Sequence, residues 1–261
     1  MKLRPLICVS AVAAASAALA LDGANTFARL KVDANFTNSI IAIPLAGCGE
    51  SEAKIYVTNL VMTAGLSAGD TLMYKEGEDW YAWEIEGGAW KAINTSTTKG
   101  GVTFTPAADA AQLDCGKACW LVRSAPSNPV YLYGQVKEAQ PQVAVAAGTA
   151  TAIAYTIVGC PNEAAPLDLF QWKPAGGADG DMLIVPAAGV TGQKTYRYDG
   201  TAWTKMTTSS TTFTNPFTKA TTTSNVTVWT PIKEAGTDTI AAGCGFMYGR
   251  KATTPLTLSW N

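Results

Sequence analysis

Thr195-Tyr-Arg-Tyr-Asp-Gly-Thr-Ala-Trp203 decides the fold class of this chain. Tyr196 and Tyr198 alternate with polar neighbours, which is the two-residue period of a half-buried strand. Asp199-Gly200 is a dipeptide suited to a two-residue hairpin turn. Trp203 then returns on the second strand. Upstream, Tyr81, Trp83 and Ile85 alternate before Glu86-Gly87-Gly88, and Trp90 follows. A sheet built from such hairpins has one aromatic face to bury.

Further out, Ser39-Ile-Ile-Ala-Ile-Pro44, Lys54-Ile-Tyr-Val-Thr58 and Thr71-Leu-Met-Tyr74 are short, β-branched or aromatic, and bounded by turn residues. Pro106-Ala-Ala-Asp-Ala-Ala-Gln-Leu113 is the best helical candidate; it covers about two turns and starts on proline. Many short strands with Gly and Pro between them predict an all-β protein with very little helix.

The pattern occurs twice. Ile43-Pro-Leu-Ala-Gly-Cys48 matches Tyr155-Thr-Ile-Val-Gly-Cys160, and Gly69-Asp70-Thr-Leu-Met73 matches Gly180-Asp181-Met-Leu-Ile184. Trp90 matches Trp203, Phe104-Thr-Pro106 matches Trp229-Thr-Pro231, and Trp120-Leu-Val matches Phe246-Met-Tyr. The offset jumps once, at the Thr/Ser-rich stretch after Met206, where an insertion in a surface loop is expected. These matches predict two tandem homologous antiparallel units, sandwich or barrel-like, at residues 21–138 and 139–261. Separate domains and halves of one pseudo-symmetric body both fit.

The N-terminus reads as a secretory leader. Lys2 and Arg4 precede an apolar run at residues 6–14, and Ala18-Leu19-Ala20 has the small-residue cleavage pattern. Residues 1–20 are therefore expected to be removed, and no later stretch has transmembrane length. The expected location is periplasmic, cell-surface or extracellular. Only 15% of residues are charged, which suits an exported β protein better than a helical cytosolic one. The formal net charge is −1 and there is no basic run, so nucleic acid is not an expected partner.

Histidine is absent. That removes Ser-His-Asp and Cys-His catalysis and His-containing zinc sites. Outside the leader stand Cys48, Cys115, Cys119, Cys160 and Cys244. In an oxidising compartment disulfides are the default. The expected pairs are Cys160 with Cys244, and Cys48 with Cys119 or Cys115. Cys115-Gly-Lys-Ala-Cys119 lacks the C-x-x-C spacing of metal and redox motifs, so no metal or cofactor is expected.

Gly180-Asp-Met-Leu183, the Tyr-x-Tyr hairpin with its Trp, and Ala242-Gly-Cys-Gly-Phe246 followed by Arg250-Lys251 give a resemblance. The chain resembles uncharacterised secreted proteins of planctomycete, verrucomicrobial and lentisphaeral bacteria. The resemblance implies export and a β fold, and no activity. The first half departs from it at Cys119-Trp120.

Two residue groups are candidates for function. Trp80 and Trp83 are three apart, so on a strand they point to opposite faces, and an exposed one could stack on a sugar ring. The competing reading makes the hairpin aromatics core residues. Glu76, Glu78, Asp79, Glu84 and Glu86 form the densest acidic stretch and sit among aromatics, as glycoside hydrolysis requires, but the matching hairpin holds only Asp199. Asp70 and Asp181 stand at a matched turn and read as turn-stabilising, since calcium needs more oxygen ligands. Duplication, the expected disulfides and the lack of catalytic groups favour a non-enzymatic structural or adhesive envelope or extracellular protein. A carbohydrate-binding protein is the alternative, and a glycan hydrolase the most remote. Glycans or other envelope proteins are the expected partners.

Overall fold

The computed structural model describes residues 27–32, 37–43, 54–61, 65–77, 79–94, 96–99, 102–108, 111–125, 129–135, 142–160, 166–187, 192–214, 221–241 and 243–259. The expected leader and Cys48 lie outside these residues.

The first half contains β1 (Phe27–Val32), β2 (Asn38–Ala42), β3 (Lys54–Tyr56), the short helix α1 (Val57–Leu60), β4 (Thr71–Glu76) and β5 (Asp79–Glu86). It continues through β6 (Ala89–Ala92), β7 (Thr97–Lys99), β8 (Val102–Phe104), β9 (Gln112–Asp114), β10 (Ala118–Val122) and β11 (Val130–Gln135). The second half contains β12 (Val143–Val145), β13 (Ala154–Gly159), β14 (Leu167–Asp168), β15 (Met182–Pro186) and β16 (Gln193–Tyr198). It ends with β17 (Trp203–Thr214), β18 (Thr221–Pro231), β19 (Thr239–Ile240), β20 (Gly245–Arg250) and β21 (Leu256–Leu258).

All described strand pairs are antiparallel. The first half has a five-stranded sheet, β2-β10-β4-β5-β6, with the smaller pairs β1-β11, β3-β9 and β7-β8. The second has a six-stranded sheet, β13-β20-β15-β16-β17-β18, with β12-β21 and β14-β19. The order of pairing is the same in both halves until β17 and β18. Among the described residues no sheet closes on itself into a barrel. The small pairs form a second layer instead. Leu30, Leu132, Ile55 and Leu113 from that layer share one core with Leu72, Trp83, Ile85 and Leu121 of the main sheet. The second half repeats this with Val143, Leu258 and Ile240 against Leu183, Tyr196 and Trp203.

The hairpins form where the alternation predicts them. β5 and β6 are joined by Gly87-Gly88, with Glu86 opposite Ala89. Both glycines have positive φ, 60° and 79°, as a two-residue turn that follows strand twist requires. The second hairpin differs from expectation. Tyr198 is opposite Trp203, so the loop is Asp199-Gly-Thr-Ala202 rather than two residues. Asp199 holds it by accepting hydrogen bonds at Oδ1 from Thr201 N, Thr201 Oγ1 and Ala202 N. These bonds keep its carboxyl below the usual carboxylate range.

Two local expectations fail. The candidate helix at residues 106–113 is not helical in its described residues. Ala107 N instead donates to Ile93 O, and Leu113 pairs with Ile55 in β9–β3. Burial of Leu113 in the core outweighs the helix propensity of the alanines. The Thr/Ser insertion is not an irregular loop either. It lengthens β17 and β18 into a ribbon paired without a bulge from Thr204–Pro231 to Thr214–Thr221. β-branched threonine favours that extended state.

The halves touch at the ends of β2 and β10 in one and β13 and β20 in the other. Bridges join Ile41 to Cys244 and Lys117 to Val158. Ala42 N donates to Gly243 O at 2.8 Å, and Gly159 N to Gly116 O at 3.2 Å. Ile40, Ala118 and Ile157 form a small apolar cluster across this junction.

Candidate functional site

Trp80 and Trp83 lie on opposite faces of β5, as their spacing predicts. Trp83 is sealed in the first core, and its indole N–H donates to Ala108 O at 3.2 Å. Trp80 is half-buried and packs against the junction cluster beside Trp120 and Met247. The structure therefore does not bring the two rings into one surface. Of the remaining hairpin aromatics, Trp90, Tyr196, Tyr198 and Trp203 are buried and Tyr81 is half-buried. Trp90 and Trp203 are 3% and 1% exposed, and each donates its indole N–H to a backbone carbonyl, Val61 O and Trp172 O. Trp203 also stacks on Trp172 with ring centroids 5.8 Å apart.

The acidic stretch is divided. Glu76 and Asp79 face each other at one end of the β4–β5 hairpin, while Glu84 is opposite Lys91 near the other. Asp79 and Glu84 are five residue steps apart along the strand, about 17 Å. That exceeds the carboxyl separations used by retaining or inverting glycosidases, about 5–9.5 Å, so a catalytic pair could not be drawn from both ends.

No disulfide is formed among the described cysteines. Cys160 and Cys244 nevertheless come side by side, with Cys160 N donating to Cys244 O at 3.1 Å. Cys119 faces the first core opposite Ile41, and burial pushes its thiol pKa far up. Cys115 lies in the turn before β10. Sheet register also changes the equivalence expected for Cys160. Pairing sets Trp120 beside Ile40 and Met247 beside Ile157, so Cys160 stands where Ile43 stands, not where Cys48 does.

Two buried polar clusters occupy matched places. Asp181 Oδ2 accepts from Ala178 N, Tyr248 OH and Arg250 Nη1 at 3.0, 2.8 and 2.9 Å, and Oδ1 accepts from Lys251 N at 3.2 Å. In the first half Asp70 accepts from Ser67 N and Ser124 N, both at 2.9 Å, and Arg123 Nε lies 3.7 Å from it. Burial, then the hydrogen bond to Asp181, raises the Tyr248 phenol far above its ordinary value. Both clusters join a turn to the end of a core strand. The turn role of Asp70 and Asp181 was readable from sequence; their arginine partners were missed. Aligning the halves by sheet register rather than by Trp120 and Phe246 identifies Arg123 with Arg250.

The most exposed feature is the β17–β18 ribbon. Among the described residues β18 pairs with β17 alone and stands last in the order of the six-stranded sheet. Val226 and Val228 are 49% and 40% exposed on one face, and Met206 is 38% exposed on the other. Thr207 and Thr230 hydroxyls approach to 3.1 Å across the strands. Shallow grooves flank its root. One is lined by Lys205, Thr207, Thr230, Lys233 and Asp238. The other, about 400 Å³, is lined by Thr149, Thr151, Met182, Arg197, Trp229 and Lys251. Arg197 there is bonded to Asp179 at 3.0 Å.

Comparison with family models, with curated proteins and with solved structures finds no match for this chain.

Proposed function

We propose that this chain is an exported, non-enzymatic structural or adhesive protein of the envelope or extracellular space, built from two tandem copies of one β unit. The observation that carries the reading is the long, threonine-rich, exposed β17–β18 ribbon, whose outer strand β18 has no charged residue, beside a closely packed two-layer body. Its reach and its open edge suit contact with other macromolecules. Duplication is supported by the shared order of strand pairing and by the matched Asp–Arg clusters. Export is supported by the leader pattern and by the resemblance to secreted proteins. The proposal includes a Cys160–Cys244 disulfide in an oxidising compartment, which the neighbouring backbones of the two residues support and which contributes on the order of 4 kcal/mol in the chain-entropy model.

The carbohydrate-binding alternative rests on a different observation. Trp229 offers part of a ring beside Arg197 and Lys251 in a groove of ligand-binding size. A glycan array separates the readings. The structural reading expects no saturable glycan binding and no turnover by the mature protein. Binding abolished by Trp229→Ala would install the alternative, and turnover abolished by Glu84→Gln would install a hydrolase. For export, the expected product begins at Leu21, with Cys160 and Cys244 in one non-reduced peptide; bridges between other cysteines would overturn that pairing.

A further inference from the structure

We propose that the groove lined by Arg197, Trp229 and Lys251 is a binding site for a monocarboxylate with an apolar body. A hydrophobic organic acid and the C-terminal residue of a peptide share that chemistry. The inference goes beyond the structural reading and does not depend on it.

The main sheet supplies most of the groove. Arg197 on β16 is opposite Met182 on β15. Its neighbours Tyr196 and Tyr198 belong to the second core, so Arg197 and Met182 lie on the outer face of the sheet. Trp229 shares that face. Arg197 is opposite Thr204, Thr204 is opposite Pro231, and Trp229 is two residues from Pro231. Lys251, just after β20, and residues 149–153, just before β13, complete the lining.

The lining is held in place by its own bonds. Gly148 N donates to Ala252 O at 2.9 Å. A Cβ on Gly148 would lie 2.4 Å from Arg250 O, so glycine lets this turn sit against the segment that carries Lys251. Thr149 Oγ1 closes the turn by accepting from Thr151 N and Ala152 N at 3.4 and 3.0 Å. Lys251 N donates to Asp181 Oδ1 at 3.2 Å. The lysine stem packs over Gly180, where a Cβ would lie 2.9 Å from Lys251 Cδ. A site organised in this way loses little freedom on binding.

The charges select the head group. Asp179 engages Arg197 through Nη2 at 3.0 Å, and both side chains are solvent-exposed, so this pair is weak. Arg197 Nε has no hydrogen-bond partner among the described residues. Lys251 forms no ion pair among them, because Asp181 is taken by Arg250 at 2.9 Å. Arg197 and Lys251 against Asp179 leave one net positive charge. That matches a carboxylate and leaves a dianion such as a phosphate ester uncompensated.

The remaining lining selects the body. Ala150, Ala152, Ile153, Met182 and Trp229 are apolar, and no carboxylate or carboxamide lines the groove. Sugar hydroxyls need acceptors as well as donors. The two threonines are the only side-chain acceptors in the lining, and Thr149 Oγ1 already accepts two bonds. An apolar ring or chain lying against Trp229 suits this surface better. The volume, about 400 Å³, is that of a small-molecule site.

Isothermal titration calorimetry of the mature protein with phenylpropionate tests this. The expected result is saturable binding of phenylpropionate and none of phenylpropionamide or glucuronate at the same concentrations. The indole N–H resonance of Trp229, assigned with Trp229→Phe, should shift along the same titration. Lys251→Met keeps the stem over Gly180 and removes the charge, so it should weaken binding about tenfold. Asp179→Asn releases Arg197 from its competitor and should tighten binding severalfold, a gain that a purely structural arginine would not give. Acetyl-Gly-Gly-Phe and its amidated twin distinguish the two sources. Tighter binding of the peptide acid than of phenylpropionate identifies a chain terminus, and equal or weaker binding identifies a free organic acid. Three outcomes overturn the site: no saturable binding of either acid, binding of the amides or glucuronate as tight as the acids, or binding unchanged in both Lys251→Met and Asp179→Asn. Loss of the site leaves the structural reading standing, whereas glycan turnover removes that reading without touching the site.

Discussion

Asp181 is fully buried, and a carboxylate there is tolerable only because its lone pairs are filled. Arg250 supplies the countercharge and ties Gly176 O and Thr254 O to the same point. Arg250→Met keeps much of the side-chain volume but leaves a buried charge without its partner. Such a change costs about 3–5 kcal/mol. Urea unfolding should show that loss, and the double variant Asp181→Asn with Arg250→Met should recover part of it. A single variant as stable as the parent would mean that the cluster is not a stabilising tie. Sequence made half of this legible. Gly-Asp before an apolar strand is a turn signature, and it stood out because it recurs. The arginines were hidden by one residue of register, since matching Trp120 to Phe246 sets each arginine opposite the wrong neighbour. In a strand a one-residue slip reverses the facing of every side chain.

At the level of elements, period-two alternation identified the hairpins because each has one face buried in its core. Where the pattern is uniform, as in the threonine run after Met206, neither face is marked and length alone could not distinguish a strand from a loop. The helical candidate failed for the opposite reason: its local propensity was clear, but Leu113 belongs to a core formed by residues far away in sequence. Trp83, Trp90, Tyr196, Tyr198 and Trp203 are buried, whereas Trp80 and Tyr81 are half-buried. Trp203 contacts Trp172, Tyr198 and Tyr248, with centroids 5.8, 5.0 and 6.3 Å away. Trp203→Ala should cost about 3–5 kcal/mol and prevent the second half from melting as the parent does. Trp80→Ala should cost less, because that ring keeps partial solvent contact. Differential scanning calorimetry of both variants checks the order. A Trp203→Ala protein that melts normally but has lost a glycan ligand would put the carbohydrate-binding alternative first.

For the whole molecule, the choice between separate domains and one paired body turns on the junction. Sequence left it open, because nothing in either half's pattern reports what the other half covers. Sheet register matches Ile41 with Val158 and Lys117 with Cys244. The bridges Ile41–Cys244 and Lys117–Val158 therefore exchange with each other, and so do the bonds Ala42–Gly243 and Gly159–Gly116. This is the pattern of a two-fold contact within one chain. It is made close by glycines of the second half. A Cβ on Gly159 would lie 2.4 Å from Lys117 O, and one on Gly243 would lie 2.7 Å from side-chain atoms of Leu30 and Val32. A Cβ on Gly245 would lie 2.6 Å from Ile40 Cγ2. Gly243 and Gly245 belong to the Gly-x-Gly motif visible in the sequence, so the motif serves contact between the halves. Gly159→Val should force the halves apart at the cost typical of overpacking, about 1–3 kcal/mol, without disturbing either core. The parent should unfold in one calorimetric transition and the variant in two, the earlier lowered by several degrees. Because the junction is the only connection that substitution strains, a variant that unfolds in one transition at the parent's midpoint would show that the halves are stable independently of it.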